Sequence, residues 1–290
     1  MLTILMFAAA LSTMAPPDDL VGTLVIAHGG GPAWNALIED VVAQVETGGP
    51  VEVSYLMGPA AKTHRFQDAA RRLVESGATR IVVVPVLVSS HSGHHEQIRW
   101  LAGEVDTLQQ TMLHHLHMAG IERADVSVPI RVAHAMDDSP EMAQVLAERA
   151  RALAPDPSAR ALFLVGHGPN SSEDHAAWMV NLRRVADTVK SLTGFADVKV
   201  GLVQDDAPPP VRAEAVLRVR EMIELLHEVT GDLVVVVPVL VSRGAISDEK
   251  LPADLHGLPI VYSGEALLPH EGIARWIEAR VRGGEVRALR

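Results

Sequence analysis

The chain contains no cysteine. That absence excludes disulfides, thiolate metal sites and a cysteine nucleophile together, and leaves His, Asp and Glu as the side chains able to hold a metal. Aromatics are scarce, with 4 Trp, 2 Tyr and 4 Phe in 290 residues, so the core has to be aliphatic. A basic excess is missing as well. Lys and Arg number 25 against 36 Asp and Glu, a formal charge of -11, which argues against a general nucleic-acid surface because neutralising phosphates needs a cationic face. An anionic ligand would have to be gripped by a local group of Arg or Lys. No apolar run is long enough to span a bilayer.

Residues 1–20 admit two readings, a cleaved signal peptide or a disordered segment. Leu2 to Leu11 is apolar and Thr13-Met14-Ala15 resembles a small-residue cleavage site, but a cationic start is missing and Pro16 would follow the cut. Retention of this segment implies a cytoplasmic protein, cleavage an exported one. The remainder, 48% hydrophobic and 21% charged overall, has the composition of a soluble globular protein of one large or two mid-sized domains.

The strongest internal signal is repetition. "GTLVIAHGGGPAWN" (22–35) returns as "ARALFLVGHGPNSSEDHAAW" (159–178), and "IVVVPVLVSS" (81–90) returns as "LVVVVPVLVS" (233–242). Within each half, short all-apolar runs alternate with helical periodicity, the pattern of a parallel sheet covered by helices on both faces. Strands are expected near 24–27, 51–57, 81–88 and 128–133, and near 161–165, 198–203, 233–241 and 259–262. The fold class is therefore α/β, two tandem domains related by duplication, each a parallel sheet of about four strands. A proline-containing linker at Ala152 to Arg160 divides them, giving domains 21–153 and 154–290. Pro85 and Pro238 lie inside apparent core strands and predict a bulge or local break there.

Ligands of open α/β sheets bind beyond the carboxyl ends of the strands. His28 follows the first strand directly. His91, His94 and His95 follow the third, so both sites share one sheet edge. The glycines of "HGGG" (28–31) do not make a dinucleotide fingerprint, because the GxGxxG spacing fails.

These residues resemble the class II tetrapyrrole chelatases of the sirohydrochlorin cobaltochelatase type, in their longer two-domain form. The resemblance rests on the strand followed by His-Gly, on "VVVPVLVSSHS" (82–92) and "DDSPEMAQVLAERA" (137–150), and in the second half on "GHGPN" (166–170), "DDAPPPVR" (205–212) and "GEALLPH" (264–270). It implies ATP-independent insertion of a divalent metal, usually cobalt and sometimes nickel or iron, into a tetrapyrrole such as sirohydrochlorin, with no nucleotide cofactor. The family's first histidine falls on His28, and its second on the loop that holds His91 and His94. Insertion needs neutral imidazoles that bind a borderline metal weakly and accept the pyrrole protons. His28 and His91 are the expected ligand and proton acceptor, with His94 as supporting ligand and Glu96 as a weaker relay.

Bland readings stand beside these. His114, His115 and His117 fit an exposed helix face, and Trp34, Trp100, Trp178 and Trp276 fit helix faces packed on the core. Lys62, Arg65, Arg71, Arg72 and Arg99 could neutralise tetrapyrrole carboxylates or simply face solvent. The second half keeps His167 but has no histidine on Ser242 to Ser247, which predicts a degenerate site whose loop closes the cleft, grips carboxylates through Arg243 or forms an interface. A non-catalytic metal or tetrapyrrole carrier is the alternative function.

Overall fold

Runs of valine and isoleucine buried on both faces make the strands, and polar turns between them launch the helices. The computed structural model describes residues 19–283, so the segment 1–20, read as a signal peptide or a disordered segment, falls almost wholly outside the described residues. The first half runs β1 (Val21–Ala27), α1 (Pro32–Val42), β2 (Val51–Tyr55), α2 (Phe66–Glu75), β3 (Arg80–Val86), α3 (Gly93–Leu101), α4 (Gln110–Ala119), β4 (Ile130–Val132) and α5 (Pro140–Leu153). The second runs β5 (Ala161–Gly166), α6 (Ser172–Thr193), β6 (Asp197–Leu202), α7 (Pro209–Thr230), β7 (Val234–Val239), α8 (Leu251–Asp254), β8 (Ile260–Tyr262) and α9 (Glu271–Gly283). Two parallel four-stranded sheets result, ordered β2-β1-β3-β4 and β6-β5-β7-β8. Among the described residues no helix is long and apolar enough to cross a membrane.

Pro85 causes neither bulge nor break. The ladder toward β1 is continuous through Ile26 opposite Pro85 and Ala27 opposite Val86. On the other side Ile81 N donates to Pro129 O at 2.9 Å and Ala133 N donates to Val83 O at 2.8 Å, so alternate residues of β3 address β4. Pro85 is the next in that series and has no N–H to give. The carbonyl it would have served, Ala133 O, accepts instead from His95 Nε2 at 3.3 Å. Pro238 occupies the same register in β7, opposite Val165 and two residues beyond the last pair with β8.

The halves are not packed as separate units. Helix α9, the last of the second half, lies on β1, β3 and α1 of the first sheet, while α5, the last of the first half, lies on β7 and α6. Ile273, Trp276 and Ile277 of α9 are buried to 1% exposure or less in one core cluster with Leu24, Ile26 and Val84. Arg149 of α5 fastens the exchange from outside, donating to Ala266 O, Pro269 O and the Glu265 carboxylate at 2.7 to 3.1 Å. The linker around Ala154 to Arg160 thus separates the repeats in sequence but not in packing.

Two outcomes follow from this packing. Trp276→Ala should cost about 3–5 kcal/mol of stability, and a chain ended at Leu153 should lose its cooperative monomeric melt because the α9 face of β1 and β3 is bare. Thermal circular dichroism with size-exclusion chromatography reads both, and a soluble monomeric first half melting near the full chain would contradict the exchange.

His95 generates a second prediction. It is 4% exposed, and burial lowers its pKa to about 4, against which the Ala133 hydrogen bond works in the opposite sense. Its folded pKa lies below the unfolded value of about 6.5, so between those limits the unfolded chain takes a proton that the buried ring refuses. Stability is full above pH 6.5 and falls as pH drops toward 4, by about 3 kcal/mol from this residue at the lower limit. His95→Gln, which keeps an N–H for Ala133, should flatten the fall in Tm over that window. An unchanged Tm profile would remove His95 from the account.

Candidate active site between the two sheets

The carboxyl ends of β1 and β3 end side by side, which places His28 and the loop after β3 at one edge. Gly29 has φ +89, and a Cβ there would stand 2.3 Å from Met57 O, so the turn that presents His28 accepts only glycine. Asn35, 7% exposed, clamps this turn by accepting from Gly30 N at 2.9 Å and donating to Gly30 O at 3.3 Å. The loop after β3 is held by Asp137, itself at φ 48, whose carboxylate accepts from both Ser90 N and Ser90 Oγ at 2.7 Å. Ser92 then caps α3, accepting from His95 N at 3.2 Å, and α3 begins one residue before His94.

These constraints bring His28 and His94 together edge to face, with ring centroids 4.7 Å apart and planes at 78°. Both rings have one nitrogen engaged. His28 Nδ1 donates to Gly29 O at 2.8 Å, and His94 Nδ1 donates to Gln97 Oε1 at 2.8 Å. Gln97 is 1% exposed and is oriented by its own donation to Met112 O at 2.9 Å. Carbonyl partners on Nδ1 fix the proton there, so each ring keeps an unprotonated Nε2 for a metal or a proton. Burial lowers the His94 pKa to about 4, with the neighbouring His28 adding to the effect.

The structure separates the remaining histidines. His91 precedes α3, is exposed, and lines an outer cavity of 580 Å³ together with His94; its carbonyl accepts from Trp178 Nε1 at 2.6 Å. His95 faces Ala133, away from the pair. His114, His115 and His117 lie exposed on α4.

His167, at the end of β5, lines the same inner cavity as His28 and His94, a space of 410 Å³. Its pKa is lowered, chiefly by burial, and its Nδ1 is buried with no hydrogen-bond partner. The two sheets therefore point their carboxyl edges into one cleft. The duplicated strand-His-Gly motif was the available signal for this, since equivalent residues of a repeat can meet when the repeats face each other.

All four tryptophans pack in or against the core, as expected, and two of them also reach the cleft. Trp276 is core, and Trp100 stacks under the Arg123 guanidinium at 4.6 Å. Trp34, partly buried, lines the cleft, and Trp178, a core residue only 3% exposed, reaches its lining, edge to face with His167 at 5.5 Å. The loop after β7 supplies Ser242, Gly244, Ala245 and Ile246 as a lining, so the second half closes the cleft. Arg243 is turned aside to Asp248, at 3.2 Å from Nε. Among the described residues no three His, Asp or Glu side chains converge closely enough to hold a metal ion.

Comparison with known proteins agrees with this architecture. Residues 22–153 match the CbiX family model. No curated protein sequence matches. SirB from Bacillus subtilis with Fe3+ superposes with a TM-score of 0.61 at 18% identity over 91% of this chain and 94% of that one. SirB from Bacillus subtilis subspecies spizizenii, a sirohydrochlorin chelatase in complex with cobalt, gives 0.57 at 17% identity over 91% and 94%. CbiX, the terminal enzyme for siroheme biosynthesis in denitrifying bacteria, gives 0.55 at 17% identity over 91% and 99%. Residues 22–153 are thus similar to the CbiX family, and the second half repeats the fold of the first.

Proposed function

We propose that the protein inserts a divalent metal, cobalt before nickel or iron, into a tetrapyrrole of the sirohydrochlorin type without a nucleotide. The observation that carries this reading is the His28–His94 pair, two imidazoles with Nδ1 tied off and Nε2 free, 4.7 Å apart in a cleft lined in part by tryptophans. A chelatase must not hold its metal tightly, because the macrocycle has to take it away. Two neutral nitrogens suit a transient stop better than a closed site of three or four protein ligands.

In this reading the metal substrate is received by His28 and His94, with His167 facing them from the second sheet. Trp34, partly exposed in the cavity lining, offers an apolar face to the ring. The two pyrrole protons displaced by the incoming ion pass by way of His91, at the mouth of the cleft, to solvent. His94 stays neutral well below pH 6.5, since burial lowers its pKa to about 4, and so keeps its Nε2 lone pair open for a metal. The metals in the two SirB structures are Fe3+ and cobalt, which supports a metal substrate of this kind for the present chain.

The test is anaerobic incubation with free-base sirohydrochlorin and Co2+, Ni2+ or Fe2+, following the absorbance change against a metal-only blank. His28→Ala and His94→Ala should each lower the initial rate by about 100-fold or more. Gln97→Leu, which leaves the His94 Nδ1 proton without an acceptor, should lower it about 10- to 100-fold. His167→Ala should also lose activity, because its ring shares the cavity. Metal binding without any acceleration of insertion would favour the carrier function instead. Full activity in His28→Ala would remove the pair from the mechanism.

A further inference from the structure

A second cavity, under the end of α9, takes no part in metal insertion. Edge strand β4 buries Ile130 and Val132 at 7% and 6% exposure and leaves Arg131 exposed between them. A sheet covered on both faces has no place for a guanidinium. Here α9 lies on β1 and β3, and its last turn, with Arg131 and Ala133 of β4, bounds a space of 460 Å³. It shares no lining residue with the inner cavity and only His134 with the outer one.

Three arginines from three elements converge there: Arg80 at the start of β3, Arg131 of β4 and Arg280 of α9. No Asp or Glu is among the described lining residues, in a chain whose formal charge is -11. Two of the three have no carboxylate partner among the described residues. Arg131 reaches only the Ile130 carbonyl, at 3.4 Å, and Arg280 lies 5.7 Å from the Trp276 ring with its Nε buried and without an acceptor. Arg80 meets Asp19 at 3.2 Å in an exposed pair, a contact of small worth. Between the guanidinium groups, Val82, Ala133 and Ala279 make the wall apolar.

A buried donor without an acceptor carries a desolvation cost that a bound anion relieves, and cations facing one space repel until it enters. Guanidinium forks match carboxylate and phosphate alike. The volume falls within the range of small-molecule sites, about 300–1,000 Å³. We propose that this cavity binds a small organic anion, a carboxylate or phosphate carried on an apolar body, apart from the metal cleft. It uses none of the residues assigned to metal insertion.

Isothermal titration calorimetry of the full chain tests this with phthalate and phenyl phosphate, against benzyl alcohol as a neutral body and inorganic phosphate as a bare anion. Phthalate or phenyl phosphate should bind once per chain and more weakly as salt rises, the bare anion about tenfold more weakly still, and the alcohol not at all. The tighter of the two organic anions identifies the head group, and either order supports the site. Arg131→Gln and Arg280→Gln should each weaken binding by about tenfold. Because Arg131 is exposed on an edge strand, its variant should keep the wild-type Tm and separate lost binding from lost fold. Arg218→Gln, on α7 and paired with Glu214, makes the same change in net charge and should bind as the wild type does. Absence of binding by either organic anion, binding unmoved in both Arg131→Gln and Arg280→Gln, or equal weakening in Arg218→Gln would overturn the site. Loss of binding in His28→Ala would overturn it too, by placing the anion in the cleft.

Discussion

The exchange of α5 and α9 between the sheets is the contact on which the rest depends. Each sheet needs both faces covered, because strands such as Val82 to Val86 and Val234 to Val239 are buried throughout. Each borrows part of that cover from the other half. The exchange fixes how one sheet sits on the other and turns both carboxyl edges inward. The cleft, the approach of His167 to His28 and His94, and the closing loop after β7 are geometric results of that arrangement and not of any local motif.

Within the cleft the chemistry is set by hydrogen bonds one layer out. Gly29 O and Gln97 Oε1 decide which nitrogen of each histidine carries the proton, and Asn35 and Asp137 hold the loops on which those partners sit. What distinguishes the imidazoles is that rotation and tautomer have already been chosen before any metal arrives, so binding need not spend free energy on ordering them.

Much of the fold was legible in the sequence, for identifiable reasons. The eight apolar runs found their strands within a few residues because a doubly covered parallel strand has no polar alternation to confuse. His28 and the loop of His91 to His95 fell at one sheet edge because neighbouring parallel strands end together. The relation between the halves was not legible, since the pairing of α9 with β1 and β3 joins residues about 190 to 250 positions apart and leaves no periodic trace. The effect of Pro85 was misread for a related reason. A missing donor matters only if a partner strand is still present opposite it, and β4 stops at Val132. Trp34 and Trp178 have helical spacing like any core residue, so that spacing alone could not mark them as cleft lining.

His94 and His95 are consecutive and yet belong to different economies of the molecule. The His95 ring completes a sheet edge where a proline left an acceptor without its donor, while the His94 ring faces a ligand cavity. Because adjacent residues on the first turn of a helix point about 100° apart, a single inserted or deleted residue between Ser89 and Gly93 would present the wrong ring to each place. The loop after β3 is therefore constrained in length more tightly than in composition. A drifting descendant of this chain could not change the number of residues in that loop without losing the sheet edge and the cleft in the same step.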